Sequence, residues 1–269
     1  MIRQPAVAGR FYPDDPDELA EAIREYCEPP QTRTRMIGAV IPHAGYIYSG
    51  HVAGAVYAKT EIPRRSIILC PNHTGMGPPL SIMQAGSWRT PLGSLAIDEE
   101  LSQALIAADP YLQDDVFAHQ AEHATEVQLP FMQWIAGLEI RFVPITVGTG
   151  NWARLETLGK AIAKVIRDVD SETLIIASSD MNHYESDSKT RVKDQKAIGR
   201  MLELDARGLF EVVQREKISM CGYGPASAML VAAKSLGASK AELVKYATSG
   251  DVSGDFAHVV GYAGITVSS

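Results

Sequence analysis

Met36-Ile-Gly-Ala-Val-Ile-Pro-His-Ala-Gly-Tyr46 is the stretch from which the fold can be read. Its first six residues form a short apolar run bounded by turn signals, the pattern of a buried strand. Pro42 has no N–H to give a sheet ladder, so the strand is expected to stop there. His43 then stands just past the strand's C-terminal end, the edge at which open α/β sheets bind ligands. A second apolar run, Ser66-Ile-Ile-Leu-Cys70, is followed by Pro71-Asn-His73. Two strands thus each deliver a histidine to a loop.

Working outward, strand patterns alternate with helical ones. Thr173 to Ser179 and Ile140 to Val147 read as further buried strands, and Val259 to Val267 closes the chain as another. Helices are expected from Asp14 to Tyr26, from Ser49 as a cap, from Asp98, across Ala121 to Ile135, from Asn151, across Lys189 to Glu203, and from Gly222. Pro29-Pro30 is expected to stop the first helix, and Gln31 to Arg35 to form a polar connection. The expected fold is α/β: a single domain over residues 1–269, with a mostly parallel or mixed central sheet covered by helices on both faces.

The chain has 269 residues, 46% hydrophobic and 21% charged, which suits one large α/β domain. A net charge of −7 without any Lys/Arg run argues against nucleic acid and against an anionic membrane surface as partners. The N-terminus lacks the apolar core of a signal peptide, and no run is long enough to span a bilayer. A cytoplasmic protein is expected. Cys27, Cys70 and Cys221 are sparse and odd in number, which fits reduced thiols.

Five places could carry chemistry. His43 and His73 sit at equivalent strand ends and suggest a metal or catalytic pair. Cys221 stands at a helix start, where the dipole and nearby cations lower a thiol pKa; the alternative is a small buried apolar residue. Asp180 and His183 follow the strand at Thr173, where a carboxylate can fix a histidine tautomer or act as base; the alternative is a capping Asp beside an exposed His. Glu122, His123 and Glu126 fall on one expected helix, with a solvated face as the alternative. His51, His119 and His258 read as structural, with His119 in a polar loop.

Taken together, Val7-Ala-Gly-Arg-Phe-Tyr-Pro13, Pro42-His-Ala-Gly-Tyr46, Pro71-Asn-His73, Glu122-His-Ala-Thr-Glu126, Ser178-Ser-Asp-Met-Asn-His183 and Met220-Cys-Gly222 resemble the Memo-like family. The resemblance runs in order along nearly the whole chain. It implies a fold similar to the class III extradiol dioxygenases, which use non-haem iron. It implies one mononuclear metal ion on His43, His73 and Cys221, iron first and copper or zinc next. Asp180, His183, His123 and Glu122 are then the expected catalytic groups. The implied activity is a non-haem metal-dependent oxidoreductase acting on a small molecule, with a peptide-binding module and a zinc hydrolase as alternatives. Prokaryotic members are described beside a radical-SAM protein and an AMMECR-like protein. Eukaryotic relatives are linked to phosphotyrosine peptides, but their Cys-Gly is followed by a basic pair where this chain has Tyr223-Gly224.

Overall fold

Four strands, Gly38–Ile41, Arg65–Pro71, Arg141–Val147 and Thr173–Ser178, are buried along their length apart from the arginines that open two of them. They lie parallel, in the spatial order Arg141–Val147, Arg65–Pro71, Thr173–Ser178, Gly38–Ile41. Val259–Ser268 then pairs antiparallel to Gly38–Ile41, placing Ile265 opposite Val40. The sheet is mixed and has twelve strands among the described residues, which are 1–29, 32–169 and 172–269 of this computed structural model. Pro30 and Gln31, expected in the helix stop and the polar connection, lie outside them.

Successive side chains of a strand point to opposite faces. Here that alternation fills two cores. Val40, Ile67, Leu69 and Ile175 pack under Trp152–Asp168, Asp187–Leu202, Ala206–Glu216 and Tyr223–Ser235. Ala39, Ile41, Ile68 and Ile176 pack under Pro16–Tyr26, Tyr46–Lys59 and Leu129–Ala136. Continuous apolar runs are what a sheet covered on both faces requires. Among the described residues no helix is long and apolar enough to cross a membrane.

Three local expectations are corrected. The helix after His43 starts at Tyr46 with Gly45 as its N-cap, so Ser49 lies inside the first turns and bonds back to the Ala44 carbonyl at 2.9 Å. The second strand continues through Pro71, which pairs with Val147. Ala121 to Ile135 is not one helix. A short helix, Phe117–Gln120, ends before Glu122, a 3-10 turn spans Glu126–Gln128, and Leu129–Ala136 follows with Pro130 in its first turn.

The physical reason for that break is the burial of two carboxylates. Glu122 and Glu126 are both fully buried, not on a solvated face. Glu126 ion-pairs with the buried Arg3 guanidinium and accepts from Tyr12 Oη at 2.6 Å, Ala6 N at 2.8 Å and Val7 N at 3.0 Å. It therefore pins the whole N-terminal segment to the sheet edge. Removing one member of a buried pair leaves the other charge uncompensated, at a cost of about 3–5 kcal/mol. Glu126→Gln should accordingly lower Tm by roughly 10 °C in a thermal melt. A melting point within about 2 °C of the parent would show that this carboxylate does not anchor the segment.

Candidate metal centre

The C-terminal ends of the parallel strands share one edge, so the loops after them converge. His43 and Asp180 arrive from the two adjacent strands Gly38–Ile41 and Thr173–Ser178. His73 follows the next one. Cys221 comes from the turn before Tyr223–Ser235, drawn in by a bond from Gly222 N to Ser179 Oγ at 3.0 Å. A Cβ at Gly222 would lie 2.4 Å from Ser179 Cβ, so the approach needs glycine.

His43, His73, His123, Asp180, His183 and Cys221 line one cavity of about 580 Å³. The donor nitrogens of His43, His73 and His123 lie within 4.8 Å of one another, a group that could hold a metal ion. Cys221 Sγ stands 3.3 Å from His43 Nε2. The His73 and His123 rings stack with centroids 4.7 Å apart.

Hydrogen bonding assigns the protonated nitrogen of the His43, His73 and His183 rings. Ser178 Oγ lies 2.7 Å from the Ala124 carbonyl, which can only accept, so the hydroxyl spends its one hydrogen there. Gln128 Nε2 donates to the same oxygen at 2.9 Å; Tyr57 donating to Gln128 Oε1 at 3.0 Å, and Nε2 donating to Pro42 O at 3.0 Å, fix the amide orientation. His43 Nδ1, 3.0 Å from Ser178 Oγ, must then donate as well. Its Nε2 is left free, toward Cys221.

His73 repeats the arrangement with a charge. Its Nδ1 lies 2.9 Å from Glu122 Oε1, and its backbone N–H donates to Glu122 Oε2 at 2.6 Å. Burial works against the Glu122 carboxylate, yet the His73 bond, the His73 charge and the Ala124 amide outweigh it and hold its pKa at about 2. A carboxylate behind the ring orients it and keeps Nε2 available. Burial lowers the His73 pKa, but Glu122 more than offsets this and raises it. Burial holds His43 and His123 low and neutral-favouring. His183 donates from Nδ1 to the Ser219 carbonyl at 2.8 Å, which leaves its Nε2 facing the cavity.

Two expectations are revised by their surroundings. Cys221 precedes the helix N-cap, Gly222, and burial pushes its thiol pKa up, with the Asp180 charge adding to the rise. The lowered thiol expected at a helix start therefore needs a cation in the site. His119 is fully buried in the short helix Phe117–Gln120, not in a polar loop. Asp180 is also buried, which raises its pKa; its Oδ1 accepts from His43 N at 2.8 Å, and its Oδ2 lies 4.0 Å from His43 Nε2.

The profile of the Memo-like protein family matches residues 3–266. The chain belongs to the Memo-like family. It is 46% identical to a MEMO1 family protein of Methanopyrus kandleri, with 98% of each chain covered. A MEMO1 family protein of Methanosarcina barkeri is 43% identical, over 99% of this chain and all of the relative. An uncharacterised Escherichia coli K12 protein of known structure shares the fold, with a TM-score of 0.53 at 12% identity over 86% of this chain and 99% of that one.

Within this Memo-like chain, some site residues escape a sequence reading. Phe11 packs against His123 with ring centroids 4.8 Å apart, and Tyr262, Val260 and Tyr184 complete the cavity wall. Phe11 lies in Val7-Ala-Gly-Arg-Phe-Tyr-Pro13, one of the stretches that carry the family resemblance. The ring-orienting roles of Ser178 and Gln128 had no signal, because a hydroxyl at a strand end and an amide on a helix have many ordinary uses. The tautomers are directly measurable. In metal-free protein at about pH 9, above the ordinary imidazole range, two-bond ¹⁵N–¹H correlations should show protonated Nδ1 at His43, His73 and His183. Protonated Nε2 at His43 would contradict the Ser178 argument.

Proposed function

We propose that this protein is a non-haem metal-dependent oxidoreductase, dioxygenase-like, acting on a small molecule in the cavity at the sheet edge. The observation that carries the reading is the grouping of the His43, His73 and His123 nitrogens, with the Cys221 thiol 3.3 Å from His43 Nε2, beside a buried carboxylate and a further imidazole. His43, His73 and Cys221 are the proposed ligands of a single ion, iron before copper or zinc. Ideal bonds of about 2.0–2.1 Å to nitrogen and about 2.3 Å to sulfur at a tetrahedral angle put the two donors about 3.5 Å apart. Cys221 Sγ and His43 Nε2, 3.3 Å apart, meet that spacing. A thiol that burial keeps protonated gives up its proton when it coordinates. When bound, the ion would supply Lewis acidity and electron exchange at open coordination positions.

The surrounding residues supply the rest. Glu122 and Ser178 hold the His73 and His43 rings in place. Asp180, whose proton affinity is raised by burial, and His183, through its free Nε2, are placed to hold or move a proton at the substrate. Phe11 packs against the His123 ring. A module that only bound peptide would have no use for proton-transfer groups beside the ligands. His123 is the competing third donor, because its nitrogen falls in the same group as those of His43 and His73.

Metal analysis of protein purified without oxygen separates these roles. The parent should carry a single ion per chain. Cys221→Ser should lose it, since a hydroxyl is a poor ligand for these metals. His123→Asn should retain it. Asp180→Asn should keep the ion and lose turnover by about 10–100-fold, the scale typical of groups behind or beside the ligands. A Cys221→Ser variant that binds metal like the parent, together with a His123→Asn variant that does not, would replace the thiolate by the third imidazole.

A further inference from the structure

His183 is aimed by the residue that precedes it. Asn182 is fully buried and does not line the cavity, yet each of its polar groups is bonded. Its backbone N–H donates to Asp194 Oδ1 at 2.9 Å, and its carbonyl accepts from Gly261 N at 3.0 Å. Asp194 is buried too, and its other oxygen accepts from Tyr246 Oη at 2.7 Å. A Cβ at Gly261 would lie 1.9 Å from Asp194 Oδ2, so this approach of helix Asp187–Leu202 to strand Val259–Ser268 needs glycine. The Asn182 backbone is thus held by a helix on one side and a strand on the other. Its side-chain amide has one orientation. Nδ2 donates to Glu185 Oε2 at 2.9 Å and to Thr190 Oγ1 at 3.3 Å. Oδ1 accepts from Ser219 N at 3.0 Å and from Ser219 Oγ at 3.1 Å. A backbone N–H can only donate, and Glu185, kept ionised by Lys189 and Lys193, can only accept.

We propose that Asn182 is the positioning residue for His183, acting through Ser219. The Ser219 hydroxyl oxygen accepts from His183 N at 2.7 Å, and the Ser219 carbonyl, an acceptor only, accepts from His183 Nδ1 at 2.8 Å. The ring keeps Nε2 free only while the Ser219 peptide faces it. Ser219 is exposed, so without Asn182 Oδ1 its N–H can turn to water, and nothing then obliges the carbonyl to stay on the ring. The buried amide of Asn182 has both ends satisfied and cannot rotate without leaving polar groups unpaired. Asn182 lies in Ser178-Ser-Asp-Met-Asn-His183, so one motif carries both the imidazole and its holder. The role of the freed Nε2 rests on the reading of His183 as a proton-transfer group; the hold on the ring rests on hydrogen bonds alone.

The test reads the ring itself. Two-bond ¹⁵N–¹H correlations on metal-free full-length protein at about pH 9, above the ordinary imidazole range, follow three histidines together. In the parent, His183 should show protonated Nδ1. In Asn182→Ala, the Nε2–H form of His183 should appear at comparable or greater intensity, and the Ser219 amide should exchange with solvent faster by roughly tenfold or more. His43 and His73 should keep protonated Nδ1, because Ser178 and Glu122 hold them independently. Asn182→Ser keeps a hydroxyl in the buried site but is too short to reach Ser219. It should give the same change at His183, and it serves if the alanine variant does not fold. An unchanged His183 tautomer in either folded variant would overturn the proposal. A change in all three rings together would overturn it as well, since that marks a general loosening of the site. Because the samples are metal-free and no turnover is measured, the result stands apart from the reading of the cavity as a metal enzyme's.

Discussion

Two buried carboxylates four residues apart, Glu122 and Glu126, hold the site together. Each is fully buried, and each is satisfied by donors from a different part of the chain. Glu126 gathers Arg3, Ala6, Val7 and Tyr12, and so brings Phe11 over His123. Glu122 gathers the backbone and the ring of His73. Buried charge is tolerated only when it is paired and hydrogen-bonded, so neither side chain can turn without leaving a charge unsatisfied. The loop between them delivers His123 and the Ala124 carbonyl that orients Ser178 and, through it, His43. One short segment therefore positions all three imidazoles.

The sheet supplies the other half of the constraint. Parallel strands put their C-terminal ends on one edge, and the right groups follow them in the sequence. Pairing of Gly38–Ile41 with Thr173–Ser178 brings His43 and Asp180 side by side although they are far apart in the chain. The bond from Gly222 N to Ser179 Oγ then fastens the Cys221 turn to the same strand end. The thiol then stands 3.3 Å from His43 Nε2.

What could be read from the sequence follows the strength of each local signal. Buried strands announce themselves through apolar runs, so the edge carrying His43, His73 and Asp180 was legible before any coordinates. Cys221 was legible as a thiol next to a helix start, but its environment was not, because burial depends on what packs against it. The anchoring roles of Glu122 and Glu126 were not legible for a definite reason: acidic residues four apart normally mark the wet face of a helix. Here they cap backbone amides and an arginine drawn from the far N-terminus, and only tertiary structure brings those donors within reach. The roles of Ser178 and Gln128 are invisible for the same cause, since a tautomer is fixed by partners that the chain supplies from elsewhere.

The most direct check on the metal centre is X-ray absorption at the metal edge of anaerobically purified protein. The expected spectrum contains one sulfur scatterer at about 2.3 Å together with imidazole nitrogens at about 2.0–2.1 Å. A first shell of nitrogen and oxygen alone would contradict the thiolate ligand and with it the proposed centre.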